Sequence, residues 1–213
     1  MSALIYPAKS FDIYEDEVAA ASLQEMFDDG YQGVIHYYSH TNGKTLTRDS
    51  ALASTAIGLW IGAVWEARGS DIATFTSEQG IADAKAAVAE AQAVGQPKGS
   101  AIYFAVDFGP TEDQVQAVLI YLTAAATIVI GAGYKVGIYA CGAILLAAYG
   151  EGGVFDYDWL AGALGWPGSR TYVSPYDPSG KPAMTQGLEA RVDGLDIDPD
   201  TVYREAGLFQ VAA

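Results

Sequence analysis

Several carboxylates in this chain stand at the ends of strand-like runs, two of them strongly apolar. Asp12 follows Lys9-Ser-Phe11, Glu66 follows Leu59-Trp-Ile-Gly-Ala-Val-Trp65, and Asp107 follows Ser100-Ala-Ile-Tyr-Phe-Ala-Val106. Asp196 and Asp198 close the segment Asp193-Gly-Leu-Asp-Ile-Asp198. Tyr37, Trp65, Tyr139 and Trp166 lie at or near the ends of such runs, and Gln186 offers an amide. Pairs of carboxyl groups cleave glycosidic bonds. Crowded carboxylates push one another's pKa values apart, which separates a proton donor from an ionised partner. Sugar rings stack on aromatic faces, so acids plus Tyr37, Tyr139 and Trp166 suit a carbohydrate site, with Gln186 as a hydroxyl-binding group. The same acids could bind a divalent metal or line a polar mouth, and Asp107 could simply cap the helix that follows it.

What must position these residues is a set of buried strands. The run to Asp107 is almost wholly apolar, aromatic and β-branched, as expected of a strand covered on both faces. Further strands are predicted at 9–14, 33–39, 59–66 and 135–140, then at 158–164, 183–187 and 193–198. Helices are predicted at 17–27, from Thr47 as N-cap, from Ser77 to Gly95, from Thr111 to about Gly131, and at 144–148. Thr111-Glu-Asp-Gln114 has the form of a capping box. Strand and helix alternate at least five times, which implies a parallel sheet with right-handed crossovers. No glycine-rich phosphate loop follows the first strand, which disfavours an open nucleotide-binding sheet. Acids on several strand ends meet in one place only if the sheet closes. The expected fold is a small (β/α)8 barrel of TIM type with a trimmed second half, one domain over 1–213.

The 213 residues are 51% hydrophobic and 17% charged, with a net charge of −15. That acidity argues against nucleic acid, whose phosphates need Lys and Arg. The one cysteine, Cys141, excludes an internal disulfide and a cysteine-rich metal site, and its apolar setting makes it a packing residue. No metal or cofactor is expected. The N-terminus has no basic stretch followed by a long apolar one, so no signal peptide is expected; the protein would be cytoplasmic, or phage-encoded and released at lysis. The apolar stretch 115–130 falls short of the ~20 residues of a membrane helix, and a buried helix is expected there. His36 lies among apolar and aromatic neighbours and suits a packed core histidine. Arg68 is a candidate partner for Glu66.

Longer motifs carry a resemblance. "GSAIYFAVDF", preceded by "AQAVGQPKG", resembles the central motif of a glycoside-hydrolase-like domain of unknown function found in actinobacterial and phage proteins. "SFDIYE", "GYQGVIHYYSHTNGKTLTRDSA", "GYKVGIYA" and "DGLDIDPD" match further pieces of that family in order. The resemblance implies a β/α barrel related to family 25 glycoside hydrolases, the lysozyme-like muramidases that cleave peptidoglycan glycan strands. It places Asp12 on the first-strand acid, Asp107 on the first acid of the muramidase Asp-x-Glu pair, and Asp196 on the last-strand acid. Two positions depart from the active pattern: Gly109 stands where the pair has its Glu, and His36 where the family has an arginine. Glu66 could supply the missing acid from the neighbouring strand. The implied substrate is wall polysaccharide, cleaved with acid assistance; the alternative is a degenerate barrel that binds polysaccharide or a protein partner.

Overall fold

Seven parallel strands follow one another around a ring: β1 (Ala8–Asp12), β2 (Tyr31–Tyr38), β3 (Trp60–Trp65), β4 (Ala101–Ala105), β5 (Lys135–Ala140), β6 (Tyr157–Leu160) and β7 (Met184–Gln186). Helices follow the first five: α1 (Ala20–Asp28), α2 (Arg48–Ile57), α3 (Ser77–Val94), α4 (Glu112–Gly131) and α5 (Gly142–Tyr149). Among the described residues after β6, a 3-10 turn at Ser169–Thr171 is what remains of the helical layer. The structure is a computed structural model that describes residues 3–14, 18–41 and 43–212. Glu17, the expected start of the first helix, lies outside the described residues, and that helix begins at Ala20.

The ring closes differently from a regular parallel barrel. A short strand, β8 (Ala190–Val192), carries the chain beyond β7, and β9 (Leu195–Val202) returns antiparallel to β8, β7 and β1. The eighth barrel strand is therefore β9, reversed, with Gln186 opposite Asp200 and Asp12 opposite Asp198. The reversal occurs at Asp193-Gly194, both at positive φ (50° and 82°). Asp-Gly is a favoured pair for a two-residue hairpin turn because both positions tolerate that conformation. The expected strand at 183–187 corresponds to β7, whereas the expected strand at 193–198 begins on the turn itself, and β8 before it was not expected.

Side chains alternate along each strand. Ala8, Ile35, Val64, Tyr103, Ala105, Trp159, Met184 and Val202 fill the barrel interior. Phe11, Val34, Tyr38, Ile61, Ala63, Ile102, Phe104, Val136 and Ile138 face the helices. The C-terminal segment plugs the base. Phe209 pairs with Ile61, Leu208 packs inside the barrel, and the Tyr103 hydroxyl donates to the Ala206 carbonyl at 2.8 Å. Helix starts follow local chemistry: Thr47 and Thr76 accept from the backbone N–H of Ser50 and Gln79, and the Gln114 amide oxygen accepts from the N–H of Thr111.

Helix α4 is long and apolar enough, by length and composition, to cross a membrane. The predicted 16-residue core is thus one part of a 20-residue helix. It lies on the sheet with α3 and α5, burying Val118, Leu122, Ala125, Ala126 and Val129. Gly80 of α3 admits the close crossing, since a Cβ there would stand 2.3 Å from the Tyr121 carbonyl oxygen.

Candidate functional site

The period of two that buries the barrel interior also aims the mouth residues inward. Asp12 follows Ser10 on β1, Tyr37 follows Ile35 on β2, and Glu66 follows Val64 past β3. Asp107 continues the face of Tyr103 and Ala105, Tyr139 that of Gly137, and Gln186 that of Met184. A cleft of ≈ 330 Å³ opens at this end of the barrel, lined among others by Tyr37, Glu66, Asp107, Tyr139, Trp159, Trp166, Gln186 and Asp198.

Gln186 is the junction of the cluster. Its Nε2 donates to Asp12 Oδ2 at 2.9 Å and to Asp198 Oδ2 at 3.3 Å, while its Oε1 accepts from the Tyr139 hydroxyl at 2.7 Å. The Tyr37 hydroxyl donates to the other oxygen of Asp12 at 2.8 Å. Asp12 is buried below the cleft, and burial pushes its carboxyl up to about 7 despite these hydrogen bonds, with Asp198 and Glu66 adding repulsion. Asp200 lies deeper. Trp159 Nε1 donates to its Oδ1 at 2.8 Å, and burial followed by the neighbouring Asp12 raises its pKa strongly. Two buried acids in contact cannot both carry charge at low cost, so each opposes ionisation of the other.

Asp107 and Glu66 form the opposite wall. Gly69 packs between them: a Cβ there would stand 3.2 Å from Asp107 Cβ and 3.2 Å from Glu66 Cγ, and the Asp107 N–H donates to the Gly69 carbonyl at 2.7 Å. Burial raises the Asp107 carboxyl, and the charge of Lys44 pulls it back only in part. Lys44 Nζ is ion-paired with Glu66 Oε2 at 3.2 Å. Glu66 thus finds its partner in the loop after β2, and not in Arg68. Asp198 is also raised, by burial and then by Glu189 and Asp107.

The expected site residues separate accordingly. Asp12, Tyr37, Glu66, Asp107, Tyr139, Trp166 and Gln186 come together at the mouth. Asp196 does not. It sits on the β8–β9 hairpin above the mouth, exposed and paired with Arg191 at 2.9 Å, and Asp198 takes the place on the cleft wall. The antiparallel descent of β9 is the reason, since it carries 196, 198 and 200 from outside the mouth to inside the barrel. His36 faces away from the interior, between Val34 and Tyr38, fully buried with neither ring nitrogen bonded; burial lowers it to about 4. Gly109 lies under Trp166 and Pro167, and a Cβ there would stand 3.0 Å from each. The sequence reading missed Lys44 and Asp200. Alternation from Asp198 would have found Asp200, whereas nothing local marks Lys44.

The chain is a closed β/α barrel with carboxylates and aromatic rings gathered at the C-terminal ends of its strands, where such barrels carry their sites. The match to the family model described as Rv2525c-like, glycoside hydrolase-like domain runs over residues 24–174, and the chain belongs to that family. The uncharacterized protein YbfG of Bacillus subtilis (strain 168) is 26% identical over 174 residues, 74% of this chain; the chain spans only 24% of that protein's length. Among solved structures, the Tat-secreted protein Rv2525c of Mycobacterium tuberculosis superposes with a TM-score of 0.78 at 20% identity, covering 94% of this chain and 98% of that one. The modular autolysin LytC of Streptococcus pneumoniae, solved with a synthetic peptidoglycan ligand, gives 0.62 at 16% identity over 92% of this chain and 46% of LytC. A family 25 glycosyl hydrolase from Bacillus anthracis gives 0.55 at 15% identity over 94% and 90%. At these identities the likeness is one of fold.

Proposed function

We propose that this chain acts on bacterial cell-wall glycan, cleaving a glycosidic bond with acid assistance. The observation that carries the reading is one aromatic-walled cleft holding a half-buried carboxyl group, Asp107, beside a second carboxylate, Glu66, fixed by an ion pair. Burial favours the protonated form of Asp107, which suits it to give a proton to the departing oxygen. Glu66 and Asp198 face the oxocarbenium-like centre, and water adds to that centre and returns a proton to Asp107. Trp166 and Tyr139 offer faces for sugar rings. The fold shared with LytC, a protein solved with a peptidoglycan ligand, supports wall glycan as the substrate class. Release of reducing ends from purified peptidoglycan tests the proposal. The native chain is expected to release them, and Asp107→Asn to do so ~10²–10⁴ times more slowly, the range for loss of a general acid. No release by the native chain overturns it.

A second reading rests on Gly109. The position two residues beyond Asp107 holds no acid and is covered by Trp166 and Pro167. Such a cleft would bind wall glycan without cutting it. Saturable binding of wall oligosaccharides with no reducing ends released supports this reading; binding accompanied by release removes it.

A further inference from the structure

Lys44 is a buried cation at the edge of the acid cluster, and the sequence gives no reason to expect it there. The loop after β2 folds back on the strand. Thr45 bridges to Tyr37, and the Leu46 N–H donates to the Tyr37 carbonyl at 2.9 Å. This turn puts the Lys44 side chain inside, with a relative exposure of 10%. Its ammonium stands 4.0 Å from the centre of the Tyr37 ring, 4.9 Å from that of Tyr14, and 3.2 Å from Glu66 Oε2. Burying an ammonium is costly unless it is paired and solvated by other groups. Two aromatic faces and one carboxylate supply that solvation here. Among the described residues, no other ion pair involves an acid lining the cleft.

We infer that Lys44 is a positioning residue of the site: clamped between Tyr14 and Tyr37, its ammonium holds Glu66 on the cleft wall and places a fixed positive charge beside Asp107. This assignment deepens the glycan reading and rests on Asp107 as the proton-giving group. The groups around Asp107 are Lys44 from the loop after β2, Glu66 from the end of β3, Tyr139 from β5 and Asp198 from β9. Lys44 alone among them brings positive charge. Without Lys44, Glu66 would face Asp107 uncompensated. The cation keeps Asp107 from being locked in its protonated form by burial. A general acid must give its proton up as well as hold it, and a midpoint near the working pH serves both.

The test is the titration of the Asp107 carboxyl carbon by 13C NMR in the free protein, assigned with Asp107→Asn. Lys44→Met is expected to raise its midpoint by about one pH unit or more, the shift an adjacent opposite charge commonly produces. Lys44→Arg, which keeps the charge, is expected to restore the midpoint. Glu66→Gln releases the ammonium from its partner and is expected to lower it, which keeps the proposal testable should Lys44→Met fail to fold. An unmoved midpoint in Lys44→Met, a Lys44→Arg midpoint as high as that of Lys44→Met, or a rise in Glu66→Gln overturns the assignment. The titration needs no substrate. Absence of glycan cleavage would therefore sink the functional reading without moving these midpoints, and unmoved midpoints would sink the role of Lys44 while cleavage persisted.

Discussion

A β-carbon on Gly109 would stand 3.0 Å from Trp166 Cδ1, closer than side chains pack without displacement. The two residues come from different loops, one after β4 and one after β6, and the missing side chain of the first makes room for the indole of the second. Gly109→Ala is expected to destabilise by ~1–3 kcal/mol, the usual cost of overpacking, and to lower the melting temperature by roughly 2–4 °C per kcal/mol. Gly109→Glu should also move Trp166, visible as a changed tryptophan emission. An Ala variant that melts with the native chain would show that the contact relaxes freely.

Asp196 and Asp198 are two residues apart and should behave very differently. Asp196 pairs with Arg191 on an exposed hairpin, where such pairs contribute ~0.2–1 kcal/mol. Asp196→Asn is expected to leave stability and glycan turnover almost unchanged. Asp198 lines the cleft and accepts from Gln186. Asp198→Asn is expected to slow turnover by ~10²-fold, the lower end of what one acid–base group supplies. Equal effects of the two substitutions in a reducing-end assay would refute this separation.

Stability should carry two opposing pH dependences. Asp12 rises from 3.8 to about 7 on folding, so its contribution is fully present below 3.8 and is lost as pH climbs through 7. His36 falls from 6.5 to about 4, so its contribution is full above 6.5 and is lost as pH drops towards 4. These two slopes oppose each other between those limits. Asp12→Asn is expected to unmask the loss on acidification, and His36→Leu the loss on alkalinisation, in denaturant titrations at several pH values. Profiles identical to that of the native chain would contradict both.

His36→Leu has a second expected outcome. Among the described residues neither ring nitrogen has a partner, and the side chain is fully buried. Replacing an unbonded buried polar group by an apolar one of similar size removes a desolvation cost of ~1–3 kcal/mol. The variant is expected to be more stable than the native chain at neutral pH, and a lower melting temperature would count against it.

Gln186 ties β7 to β1, β5 and β9 through Asp12, Tyr139 and Asp198. Gln186→Leu strands those three partners together and is expected to cost ~1–3 kcal/mol, measured by equilibrium unfolding. Retention of full stability would mean that the cluster rearranges around the gap.

Much of this arrangement is legible in the chain itself. Apolar runs bounded by turn residues mark the strands, and threonines before them or after them mark where helices begin. Alternation of side chains along each run puts Asp12, Tyr37, Glu66, Asp107, Tyr139 and Gln186 on the interior face, because the pleat repeats every two residues whatever surrounds it. These features are local, and local sequence suffices for them. Closure of the barrel is not local. The hairpin at Asp193-Gly194 reverses the last strand, and only the pairing of β9 with both β1 and β7 decides that Asp198 reaches the cleft while Asp196 stays outside it. Burial is likewise a property of the assembled ring: it raises Asp12 and Asp200 and empties His36 of charge. The fold of one loop back onto Tyr37 brings Lys44 to Glu66 across 22 residues of chain. Such contacts depend on which elements meet in space, and tertiary structure alone decides that.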